Sequence, residues 1–153
     1  MIHRSTLILK LIIGLIALLV LTVCVLTFPV VLSGEAHGYI PILIGVYVST
    51  IPFFAGLFCA FKILNYIDKD QAFSVRTVQA LKKIKQYAAS ISIFYTAGMP
   101  YIYLVADRDD APGVIVIGLF FVLASFALAT FAGVAQRLFQ NAVDIQHEND
   151  LTV

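Results

Sequence analysis

Four stretches of this chain, Leu11 to Gly34, Gly38 to Phe61, Gln86 to Ala106 and Ala111 to Gln136, contain no Asp, Glu, Lys, Arg or His. A helix needs about 20 apolar residues to cross a bilayer, and every backbone polar group inside hydrocarbon must be paired within the structure. The sequence therefore predicts an all-α protein, a four-transmembrane-helix bundle. Its spans are placed at about 7–34, 38–64, 86–106 and 111–136 of a single integral membrane domain 1–153, with a hinge and helix start at 65–85 and a tail at 137–153. With 61% hydrophobic and 12% charged residues in 153, no room is left for a separate soluble enzymatic domain. The basic start Arg4 to Lys10 resembles that of a signal peptide, but the apolar run behind it is too long for one, so a retained span is expected.

Charge distribution predicts the orientation. Arg4 and Lys10 precede the first span, Lys62, Lys69, Arg76, Lys82, Lys83 and Lys85 lie between the second and third, and Arg137 follows the fourth. The opposite connections carry only Arg108, beside Glu35, Asp107, Asp109 and Asp110. Lys and Arg are retained on the cytoplasmic side, which predicts a multi-pass protein of a bacterial cell membrane with both termini and the central loop cytoplasmic. Tyr66 and Tyr87 then fall near the inner headgroups and Tyr39, Tyr101 and Tyr103 near the outer ones, as an interfacial belt. Pro52, within the second span, frees a carbonyl near Val48 that Ser49 or Thr50 is expected to help satisfy.

The polar stretch DKDQAFSVR, residues 68–76, interrupts the second and third apolar runs. Asp68 to Gln71 ends one helix, Ser74 is a good N-cap for the next, and Phe73 before it suits a hydrophobic staple. From Val75 no proline or glycine intervenes for more than six turns, so the third helix should begin in the cytoplasm and extend beyond the bilayer. In that extension Val75, Val78, Leu81 and Ile84 share a stripe, flanked by Arg76, Lys82, Lys83 and Lys85. Such a helix can lie on anionic membrane lipid at about 1 kcal/mol of attraction per basic residue, or present a docking surface to a cytoplasmic protein. Direct nucleic acid binding is not expected, because the basic residues start at the membrane and belong to no groove-entering fold. The tail beyond Arg137 is opposite in sign through Asp144, Glu148 and Asp150. It could pair with the basic helix, or both could receive a soluble partner.

Little else suggests chemistry. Cys24 and Cys59 both lie in apolar runs and are expected to be reduced and packed. The Asp107 to Asp110 turn lacks the spacing of a calcium loop. His37 with Glu35, and His147 with Glu148, fall short of the ligand count zinc needs, and His3 is a terminal group. No ionisable residue lies within the charge-free runs, which disfavours both intramembrane catalysis and a proton pump. No catalytic residue, cofactor or metal site is assigned. Ser125, Ala129 and Gly133 recur at four-residue spacing and form a candidate helix-packing face, within the chain or across a homo-oligomer.

On the hinge residues Asp70, Phe73, Ser74 and Leu81 and the tail Glu148 to Val153, the chain resembles the DUF2975 family of small four-span bacterial membrane proteins. Members are often encoded beside a small helix-turn-helix regulator. The resemblance implies a non-enzymatic regulatory or sensory membrane protein that binds or sequesters such a regulator. The candidate partner-binding residues are Phe73, Ser74, Arg76, Leu81, Lys82, Lys83, Glu148, Asp150 and Leu151. The alternative is a small transport, channel or immunity-like protein working through an intramembrane groove, lined by Thr22, Ser49, Thr50, Ser92, Thr96, Ser125 and Thr130.

Overall fold

The computed structural model describes residues 2–34 and 37–152, and the regular structure among them is entirely helical. In chain order these are α1 (Ile2–Ser33), a single 3-10 turn (His37–Tyr39), α2 (Ile40–Asp68), α3 (Val75–Arg108) and α4 (Pro112–Thr152). All four long helices are long and apolar enough to cross a membrane. The prolines do not end them. Pro41 occupies the first turn of α2, where its missing N–H removes no helix bond. Pro29, Pro52 and Pro100 lie inside helices that continue past them.

Around Pro52 the expected relief of the Val48 carbonyl is not made. Ser49 Oγ donates to Val46 O at 2.8 Å and Thr50 Oγ1 to Tyr47 O at 2.5 Å. A helical hydroxyl reaches the carbonyl three or four residues back, and Val48 stands too close in sequence to either residue.

The helices pack in chain order. α3 on α4 is the most extensive contact, then α2 on α3, then α1 on α2. The α3–α4 pair has a seam of alternating four- and three-residue steps, the spacing that keeps one helix face on its neighbour. On α4 it runs through Gly118, Val122, Ser125, Ala129, Ala132, Gln136, Phe139 and Val143, all buried or half-buried between mostly exposed neighbours. A Cβ on Gly118 would stand 2.9 Å from Met99 Sδ, and one on Gly133 3.4 Å from Lys85 Cδ. A Cβ at Gly118 would displace the end of the Met99 side chain, whereas one at Gly133 would meet Lys85 at ordinary van der Waals distance. Of the candidate face Ser125, Ala129 and Gly133, Gly133 lies against Lys85 of α3.

Interhelical polar contacts involve two tyrosines to which the sequence assigned no role. Tyr47 OH donates to Cys24 O at 2.7 Å and lies 2.6 Å from Thr27 Oγ1, joining α2 to α1. Tyr95 OH meets Ser49 Oγ at 2.9 Å, and its ring stacks on Phe121 at 5.5 Å, joining α2, α3 and α4. Among the described residues both cysteines are free, Cys59 buried and Cys24 half-buried. Most of the leucines and valines of α1 are exposed, the surface expected of a helix whose outer face meets lipid.

The segment beyond Arg137, treated above as a tail, is helical and continuous with α4. It contains no glycine or proline, and Gln140 Nε2 donates to Asp144 Oδ1 one turn on at 2.9 Å. The resulting helix of 41 residues is about 60 Å long at 1.5 Å per residue, roughly twice the hydrocarbon thickness.

Candidate functional site at the basic end

The antiparallel pairing gathers the start of α1, the end of α2, the start of α3 and the end of α4 at one end of the molecule. Its local structure begins with the hinge. α2 stops in a Schellman motif: Asp70 takes φ 58°, its N–H bonds Ile67 O at 3.1 Å, and Gln71 N–H bonds Tyr66 O at 2.7 Å. Asp is one of the few non-glycine residues that tolerate this left-handed conformation. Ser74 then caps α3, its Oγ accepting from Thr77 N–H at 3.4 Å. Thr77 is fully buried, and its Oγ1 donates to Gln71 O at 3.3 Å, so the chain reversal is fixed on both sides.

Asp68 ties this hinge to α1. Its carboxylate accepts from Thr6 Oγ1 at 2.5 Å and Lys10 Nζ at 2.6 Å. Lys10 also lies 5.5 Å from the centre of the Phe61 ring. Phe73 packs on Phe139 of α4, ring centres 5.2 Å apart, yet remains more than half exposed at 57%. The opposite end is closed by Tyr101 OH donating to Gly38 O at 3.0 Å and by a second left-handed aspartate, Asp110 at φ 50°.

The candidate residues are distributed unevenly over this end. Ser74 is engaged in its cap, and Leu81 is half-buried, three residues on from the buried Val78. Arg76, Lys82 and Lys83 are exposed, as are Glu148, Asp150 and Leu151. The acidic residues do not cap the basic helix. With Lys85 opposite Gly133, Lys82 stands opposite about Gln136, and Glu148 lies roughly 18 Å further along α4 at 1.5 Å per residue. Among the described residues no ion pair joins the α4 end to Lys82, Lys83 or Lys85. The final turns of α4 overhang the start of α3 because α4 continues past the residues that face it. They expose Ile145 at 67% and Leu151 at 75%.

The hydroxyls proposed to line a passage are directed to backbone instead. Thr22, Thr96, Ser125 and Thr130 each donate to the carbonyl four residues back, at 2.6 to 3.0 Å. Ser92 Oγ is 3.4 Å from Val122 O across the α3–α4 seam. Among the described residues no group of three or more His, Cys, Asp or Glu is placed to hold a metal ion. Glu35 and the side chains of His3 and His37 lie outside the described residues.

Four apolar helices of spanning length, joined by short connections and tied at both ends, define a multi-pass helical membrane protein. The chain belongs to the family described as Protein of unknown function (DUF2975), whose model matches residues 29–153. It is 49% identical over 158 residues to the Uncharacterized membrane protein YoaS of Bacillus subtilis (strain 168), covering 99% of each chain. No solved structure matches. The likeness seen in the hinge and tail is therefore family membership, and the protein is one of a bacterial membrane.

Proposed function

We propose that this protein is a non-enzymatic regulatory or sensory membrane protein, with both termini cytoplasmic, that binds and sequesters a small cytoplasmic helix-turn-helix transcription regulator. The observation that carries this reading is the overhang of α4. Leu151 is 75% exposed and stands about 21 Å along the helix from Arg137, well past headgroup depth for a helix close to the membrane normal. Exposed apolar residues within the spans are accounted for by lipid, whereas those on the overhang are not. With Glu148 and Asp150 beside Leu151, and Phe73 and Arg76 at the start of α3, this end offers an apolar contact set among charges of both signs. The family's association with such regulators supplies the partner class. The cluster of basic residues at this end supports placing it in the cytoplasm.

The transport or channel alternative receives no support from the hydroxyls, since helix carbonyls already occupy them. Isolation of the protein at native expression in gentle detergent tests the proposal. A stoichiometric helix-turn-helix partner, lost on Phe73→Ala and weakened roughly tenfold by reversing Lys82 and Lys83 to Glu, is expected. Absence of that partner from the wild-type protein would contradict the reading and move attention to flux across the membrane.

A further inference from the structure

Between α2 and α3 lies a half-open cleft of about 250 Å³, lined by Lys62, Tyr66 and the buried Cys59 from α2 and by Arg76, Gln79 and Lys83 from α3. Three cations, a phenol and an amide converge there, and no carboxylate is among the lining residues. Among the described residues none of the three cations is in an ion pair. The Lys62 ammonium is held over the Phe58 ring, 4.7 Å from its centre, an arrangement that orients the charge without neutralising it. Like charges gathered in one recess repel unless an anion joins them.

We propose that this cleft is a binding site for a phosphate-bearing anion. Arg76 presents the forked donors that match phosphate oxygens, Lys62 and Lys83 add point charges, and Tyr66 and Gln79 supply neutral donors. Its depth suits a lipid headgroup. Lys62 is the residue directly after the charge-free run of α2, and Lys83 lies just before that of α3. Both therefore stand at headgroup level whichever side of the membrane this end faces. Basic recesses between spanning helices are known receptors for anionic headgroups, and a free phosphate ester would use the same donors. The cleft shares Arg76 and Lys83 with the proposed partner surface but leaves out Phe73, Lys82 and the α4 overhang, so lipid or phosphate binding to the purified protein is read apart from regulator capture.

Lys82 and Lys83 carry the same charge one residue apart, and only Lys83 lines the cleft. The wild-type protein, purified in zwitterionic detergent, would be offered phosphatidylglycerol, phosphatidylcholine or inorganic phosphate, and bound species counted by native mass spectrometry. Preferential retention of phosphatidylglycerol, undisturbed by excess phosphate, identifies a headgroup site. Retention of phosphate without preference between the two lipids identifies a free-phosphate site. In either case Lys62→Gln and Lys83→Gln should each raise the apparent Kd roughly tenfold, the loss expected for one charge-assisted contact, with Lys82→Gln unchanged. Equal losses from Lys82→Gln and Lys83→Gln would mean diffuse surface charge and overturn the site. The wild-type comparison decides independently of how the variants fold: no preference for phosphatidylglycerol over phosphatidylcholine, together with no retention of phosphate, overturns it as well.

Discussion

Asp68, the last residue of α2, and Asp70 and Asp110 in the connections do two different jobs. Asp68 accepts from Thr6 and Lys10 at 2.5 and 2.6 Å and is the described link between the start of α1 and the hinge. Asp68→Ala should lower stability by on the order of 1 kcal/mol, since the Lys10–Asp68 pair is part-exposed. Hydrogen exchange should show the opening concentrated in the first three turns of α1 and absent from α3. Asp70 instead serves through its backbone, at φ 58°. Asp70→Gly should hold or raise the melting temperature in detergent, while Asp70→Val should cost about 1–2 kcal/mol, because a β-branched residue is strained there. The sequence placed the end of a helix at Asp68 to Gln71, but neither the Asp68 contact nor the left-handed backbone was legible in it. The Asp68 contact joins residues 58 apart and depends on two helix lengths, and a left-handed aspartate has the same letters around it as any polar turn. Tyr47 and Tyr95 were missed for a related reason: a tyrosine in an apolar run reads equally as an interfacial anchor or as an interior clasp.

α3 and α4 show where pattern was sufficient and where it was not. Absence of charge over a spanning length forces helix, so the four helices follow from hydrocarbon physics alone. The four-residue spacing of Ser125, Ala129 and Gly133 suggested a packing face, and Gly133 lies against Lys85 of α3. Ala132, 2% exposed on the same seam, is the position where overpacking would be felt. Ala132→Leu should destabilise by about 1–3 kcal/mol, whereas Phe131→Leu, on the exposed neighbour, should change the detergent melting temperature little. The continuation of α4 to Thr152 was not anticipated, because an acidic polar run reads as a tail. Its lack of glycine and proline was the available signal. Truncation after Val143 should leave the melting transition of the spans intact and abolish regulator capture, since the residues removed extend past the α3 seam.

Taken together, the four helices form an open succession of pairs, tied by Tyr47, Tyr95 and Asp68, with one end strongly basic and extended by α4. Under the proposed function that end is the working surface and faces the cytoplasm, while the described polar contacts inside the spans join helix to helix. The sequence made the charge asymmetry plain, but not the separation between the basic start of α3 and the acidic end of α4, which depends on helix register. The most direct measurement is site-specific photocrosslinking in intact cells from a probe at Leu151, with a probe at Ile117 as the membrane-embedded control. A crosslink from Leu151 to a small soluble helix-turn-helix protein, reduced by Phe73→Ala, is expected, with crosslinks from Ile117 to lipid. A Leu151 probe that reaches only lipid, or that reacts with a reagent confined outside the cell, would contradict the proposed function.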